Sequence, residues 1–177
     1  MISRFIPCIE RKAVPRVLVA AFALCACLAL SLPAARADTL ASANAAYARG
    51  DYIGAVKLLT PLALRGNARA QSFLGFMYEN GYGAPQAYTE AADLYVQAAI
   101  SGNPFGQAML GLMYDKGHGL PQDFVLAYKW LNLAAARAAK HERDYFLRLR
   151  NAVASKMSPA QIAEGQYLAL CWTPGSP

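Results

Sequence analysis

The chain has 177 residues, 56% of them apolar, and carries 17 basic against 11 acidic side chains for a formal charge of +6. Five of those basic residues (Arg4, Arg11, Lys12, Arg16, Arg36) and one acid (Glu10) lie in the first 37 positions, so the remainder holds 12 against 10 and a charge of +2. That balance removes the electrostatic case for a nucleic-acid or anionic-membrane partner, and the remaining length suits one domain.

The N-terminal segment reads as an export signal: a basic stretch, then residues 17–32 without charge, then Pro33 and the small residues of Ala35-Arg36-Ala37. Cleavage is expected before Asp38, which places the mature protein in the periplasm of a Gram-negative-type cell or outside it. A transmembrane anchor is the rival, but the apolar run falls short of the roughly 20 residues that cross a bilayer as a helix. A lipid anchor on Cys27 would leave the apolar residues 28–32 on the product. Cys8, Cys25 and Cys27 leave with the signal, so Cys171 remains alone. It can form no intramolecular disulfide and no cysteine-based zinc site.

Residues 38–68 are expected to open the fold as a helix pair. Its first helix covers about residues 39–49, Gly50-Asp51 makes a short turn, and Ala55, Leu58, Leu59, Leu62 and Ala63 form the stripe of the second helix.

A repeat then dominates the chain. Comparing residues 66–101 with 102–137 gives identities at Gly66, Asn67, Gln71, Leu74, Gly75, Met77, Tyr78, Gly81, Gly83, Pro85, Gln86, Ala91, Ala98 and Ala99, with no slip in the register. In each unit the apolar spacing describes two helices. Ala70, Phe73, Leu74, Met77 and Tyr78 make the first stripe, repeated in Gly106, Met109, Leu110, Met113 and Tyr114. The second stripe is Ala91, Leu94, Tyr95, Ala98 and Ala99, then Ala127, Trp130, Leu131, Ala134 and Ala135.

The loops 81–86 and 117–122 each hold Gly-x-Gly-x-Pro-Gln, with Gly81 and Gly117 suited to end a helix in the left-handed conformation. Asp123 can cap the next helix. Ala87, at the same position one unit earlier, cannot, and Thr89 is the candidate replacement. In the closing segment, Ser158-Pro159 with Gln161 reads as a helix start with a capping box.

The pattern Ala-Gln-x-x-Leu-Gly-x-x-Tyr-x-x-Gly-x-Gly, followed by Asp-x-x-x-Ala-x-x-Trp and paired alanines, resembles the Sel-1-like repeat, a relative of the tetratricopeptide repeat. The signature falls on Leu74, Gly75, Tyr78, Gly81 and Gly83 in residues 69–104, and on Leu110, Gly111, Tyr114, Gly117, Gly119, Asp123 and Trp130 in residues 105–140. Residues 69–104 depart from it at Ala87 and Leu94. Residues 38–68 look more like a tetratricopeptide unit, and residues 157–164 resemble the closing segment of bacterial members of the family. The resemblance implies an all-α, right-handed α-solenoid of antiparallel helix pairs, about eight mature helices, with 141–172 as a helical cap and 173–177 as a flexible tail.

It also implies an adaptor or regulator that binds a protein or peptide on its concave face, without a cofactor and without enzymatic activity. Positions on the first helices but off the packing stripe supply the groove candidates: Arg69, Ser72 and Phe76, then Phe105, Ala108 and Leu112. Phe76 and Leu112 have a structural alternative, packing between layers. A hydrolase of the cysteine-rich β-lactamase-like type is the enzymatic alternative, yet the regularly spaced cysteines are missing. His118 and His141 are the two imidazoles. His118 is expected on a solvent-facing loop, and His141-Glu142-Arg143-Asp144 as a solvated helix start with local ion pairing. Cys171 is expected either to pack under the terminal cap or to link two chains in a dimer of an otherwise monomeric protein. The third alternative is a structural subunit of an envelope assembly, against which Arg143, Arg148, Arg150 and Lys156 make the closing end polar.

Overall fold

The computed structural model describes residues 32–176, with side chains from Leu40 onward, and its compact unit runs from Thr39 to the C-terminus. The export-signal reading rests on residues 1–31, outside the described residues. Among the described residues there are eight α-helices and no strand: α1 (Leu32–Ala48), α2 (Tyr52–Leu64), α3 (Ala68–Asn80), α4 (Tyr88–Ile100), α5 (Pro104–Lys116), α6 (Phe124–Arg137), α7 (Lys140–Ala154) and α8 (Pro159–Leu170). The chain is an all-α solenoid of stacked helix pairs.

The register reaches further than the sequence identities suggest. The first helices of the second to fourth pairs begin at Ala68, Pro104 and Lys140, and the second helices of all four pairs at Tyr52, Tyr88, Phe124 and Pro159, so only α8 departs from the thirty-six-residue step, by one residue. The closing segment is thus a fourth repeat in geometry, although it has lost the sequence signature.

Local chemistry sets these boundaries. Asn67 and Asn103 cap α3 and α5 by accepting the N–H groups of Ala70 and Gly106 at 3.0 and 2.8 Å, a role not assigned to them from sequence. Asp123 Oδ1 accepts from Val125 and Leu126 at 2.8 and 2.9 Å. Ser158 and Gln161 complete the capping box of α8. Ala87 starts α4 with no side-chain cap, and Thr89 does not take over. Asp123→Ala is therefore expected to destabilise by about 1 kcal/mol and Ala87→Asp to stabilise by a similar amount, readable as opposite shifts of the urea midpoint.

Packing within a pair depends on missing side chains. A Cβ at Gly75 would lie 3.0 Å from the Tyr95 ring, and one at Gly111 would lie 2.8 Å from Leu131 Cγ and 3.0 Å from the Ala127 carbonyl. These glycines let the first helix close onto the second. Tyr95, fully buried, donates to Glu79 Oε2 at 2.8 Å, and its burial together with that carboxylate raises its pKa. Its counterpart, Leu131, has no hydroxyl to satisfy.

Packing between layers uses the buried glutamines and the loops. Gln71 Nε2 donates to the Ala63 carbonyl and Gln107 Nε2 to the Ala99 carbonyl, each at 3.2 Å, which gives these carbonyls a second donor beside the Gly66 and Gly102 N–H groups and ties each first helix to the helix before it. Each glycine-rich loop docks on the start of the previous second helix. Tyr82 stacks on Tyr52 with centroids 4.8 Å apart, and His118 lies against Tyr88 at 4.6 Å. His118 is thus half-buried, a correction to the solvent-facing placement: loop residues in this register have an aromatic ring beneath them.

The C-terminal segment departs most from expectation. Residues 173–176 do not form a free tail. Trp172 is buried against Trp130, centroids 5.9 Å apart, and its indole N–H donates to the Ser176 carbonyl at 2.8 Å, while Gly175 N–H donates to the Ile100 carbonyl at 2.9 Å. Cys171 is exposed, so it does not pack under the cap; the neighbouring indole takes that place. The charged start of α7 is solvated, but its expected local ion pairing does not form. Among the described residues the salt bridge is Lys156 to Asp115 at 2.7 Å, which ties the end of α7 to α5.

Candidate functional site

The first helices end their exposed faces on one shared concavity of about 560 Å³. Leu40 and Asn44 of α1 form one wall, Arg69, Ser72 and Phe73 of α3 the floor, Asn103, Pro104 and Phe105 the start of α5, and Arg137, Ala139 and Glu142 the far wall at the α6–α7 junction. It therefore crosses all four layers of the solenoid. That follows from the register, because equivalent ends of α3, α5 and α7 are stacked in line.

The sequence-derived candidates divide. Arg69, Ser72 and Phe105 meet in this concavity. Arg69 is exposed, whereas Ser72 is 3% exposed and donates to the Arg69 carbonyl at 3.1 Å, so it shapes the floor more than it offers a side chain. Phe76, Ala108 and Leu112 do not line it. Ala108 is completely buried against the α6–α7 core, because close approach of helices leaves room for a methyl group and nothing else. Phe76 packs against the cores of both the first and second layers and contacts Tyr47, Tyr82 and Phe105 at ring distances of 6.2, 5.9 and 6.4 Å. It is the packing alternative that describes Phe76. Leu112 is half-buried on α5.

Sequence reasoning missed Asn44, Phe73, Arg137 and Glu142. Phe73 belongs to the packing stripe, yet it is only partly buried and lines the groove while its ring meets Tyr47 at 5.2 Å. Arg137 comes from the end of a second helix, outside the first-helix positions that supply the groove candidates. Its guanidinium lies over the Trp172 ring, 4.5 Å from the centroid. The C-terminal turn thus supports a groove side chain.

Apolar side chains also stand exposed elsewhere, with Leu64 and Leu170 the most open. Leu64 projects at the end of α2, and Tyr167 and Leu170 stand beside Cys171 on α8. Among the described residues, no group of three or more His, Cys, Asp or Glu side chains comes together in a metal-holding arrangement, and no helix is long and apolar enough to cross a membrane.

The family model described as Sel1 repeat matches residues 68–103 and 104–138. A search of the curated proteins finds no match. Among solved structures, a Sel1 repeat protein from Oxalobacter formigenes is 32% identical with a TM-score of 0.54, over 64% of this chain and 88% of that one. A protective antigen of uropathogenic Escherichia coli strains, displaying an SLR fold, is 28% identical with a TM-score of 0.67 over 77% of this chain. The present chain spans only 30% of that antigen's length.

Proposed function

The chain belongs to the Sel1 repeat family, and from that premise we propose that it is an exported scaffold whose four-layer concavity binds a segment of a partner protein. Sel1 repeats generally mediate protein interactions. The observation that carries the reading to this particular surface is the convergence of Arg69, Phe73, Phe105 and Arg137 on one open groove built from all four layers. An extended segment of a partner chain fits a groove that runs along the stack, because repeat stacking generates an elongated binding surface.

Export is supported by the residue pattern of the first 37 positions. Processing before Asp38 would cut within α1 but leave Leu40, Ala43, Ala46 and Tyr47, the α1 residues that pack on α2 and α3. The processed chain then keeps its whole described core. It would act in the periplasm or outside the cell, as an adaptor and not as a hydrolase.

A photocrosslinking residue placed at Asn44, exposed on the groove wall, tests this reading against one at Asp93, exposed on α4 and outside the groove. Adducts with a discrete partner are expected from position 44 only. Equal adducts from both positions, or none from position 44, would remove the groove as the binding surface.

A further inference from the structure

We propose that the segment this groove receives is an extended peptide combining acidic side chains with bulky apolar ones. This deepens the groove reading above and rests on it. Leu40, Phe73, Pro104 and Phe105 supply apolar surface, which favours large aliphatic or aromatic side chains in contact with it. Between and beside them stand two guanidiniums, Arg69 and Arg137, and among the described residues neither is in an ion pair.

A partner that buries those guanidiniums must supply acceptors. Stripping water from a cation without a counter-charge is costly, so a neutral peptide pressed into this groove would lose at the arginines part of what it gains at the phenylalanines. A basic peptide would add repulsion. An acidic one converts the same two groups into charge-assisted hydrogen bonds, and the planar guanidinium suits a carboxylate in bidentate geometry.

Arg137 is also partly organised before any partner arrives. Its guanidinium rests on the Trp172 ring, and that ring is held by the hydrogen bond from its indole to Ser176. Less side-chain freedom is then lost on binding. Glu142 is the single acid in the lining. It repels a carboxylate placed directly against it, so the acids of the peptide are directed to the two guanidiniums of Arg69 and Arg137.

Panning the purified protein against random peptides displayed on phage tests the proposal. Enriched sequences are expected to pair Asp or Glu with Phe, Leu or Trp. A synthetic peptide made from them should lose roughly tenfold or more in affinity against Arg69→Glu, a reversal of an exposed charge. It should lose less against Arg69→Lys, which keeps the charge but not the bidentate geometry, lose its affinity for Asn44→Trp, which fills the groove, and weaken with added salt. Unchanged melting of the variants shows that the fold is retained. Enrichment of neutral or basic peptides that Asn44→Trp blocks and Arg69→Glu does not would overturn the acidic specificity and leave the groove reading standing. Peptides that bind Asn44→Trp as well as the parent protein, or no enrichment at all, would overturn both.

Discussion

Gly119→Ala is expected to lower stability by about 3–5 kcal/mol, a large part of what a domain of this size possesses. Two penalties act together there. Gly119 has φ of +70°, where an alanine is strained, and its added Cβ would run into the backbone carbonyl of Tyr88 at the start of α4. Backbone cannot rotate aside as a side chain can. The same contact joins Gly83 to Tyr52 one layer earlier, so each Gly-x-Gly loop seats its second glycine on the preceding repeat. Gly66→Ala separates the two penalties, since Gly66 has φ of +79° with nothing within 4 Å of the added methyl group. It should cost only about 1 kcal/mol. Urea denaturation of the two variants reads the difference directly, and equal losses would show that the loops do not clamp successive layers.

Trp172→Ala is expected to cost about 3–5 kcal/mol, the usual range for removing a buried aromatic side chain. The indole fills the space between Trp130 and the end of α4, packs under Arg137 and holds the final turn through Ser176. Removing residues 173–177 instead keeps the ring and leaves its N–H without the Ser176 carbonyl, with an expected loss of about 1–3 kcal/mol. The ordering Trp172→Ala worse than truncation, worse than Cys171→Ser, is measurable by thermal or urea melting. A tail that served only as a solvated end would leave the truncation as neutral as Cys171→Ser. Trp172→Ala should also weaken partner binding in conditions where the protein remains folded, because Arg137 loses the surface that orients it.

Much of the architecture was legible because a repeat reports itself twice. Leu74-Gly75 and Leu110-Gly111 show the same helix contact, Gly81 and Gly117 the same left-handed termination at φ of +70°, and Asp123 the cap that Ala87 lacks. Less legible were features with no second copy. The closing pair α7–α8 keeps the thirty-six-residue step to within one residue but shares almost no signature residues with its predecessors. Trp172 occurs once, so periodicity says nothing about it.

The candidate site was harder for a physical reason. Helical spacing tells which residues point away from one neighbouring helix, but a first helix in a solenoid is covered on several sides. Ala108 and Ser72, off the main stripe, are buried by other layers, and Phe73, on the stripe, reaches the groove. Arg137 belongs to the other class of helix altogether.

By itself, then, the sequence determined the helix pairs, their period, their caps and the glycines that let them approach, because these depend on interactions within a few residues or on exact repetition. Tertiary structure alone decided which first-helix positions face the groove, that Arg137 and Glu142 join Arg69 there, and that the C-terminal turn is part of the fold. Those outcomes depend on stacking of non-adjacent layers, where burial is set by neighbours far away in the chain.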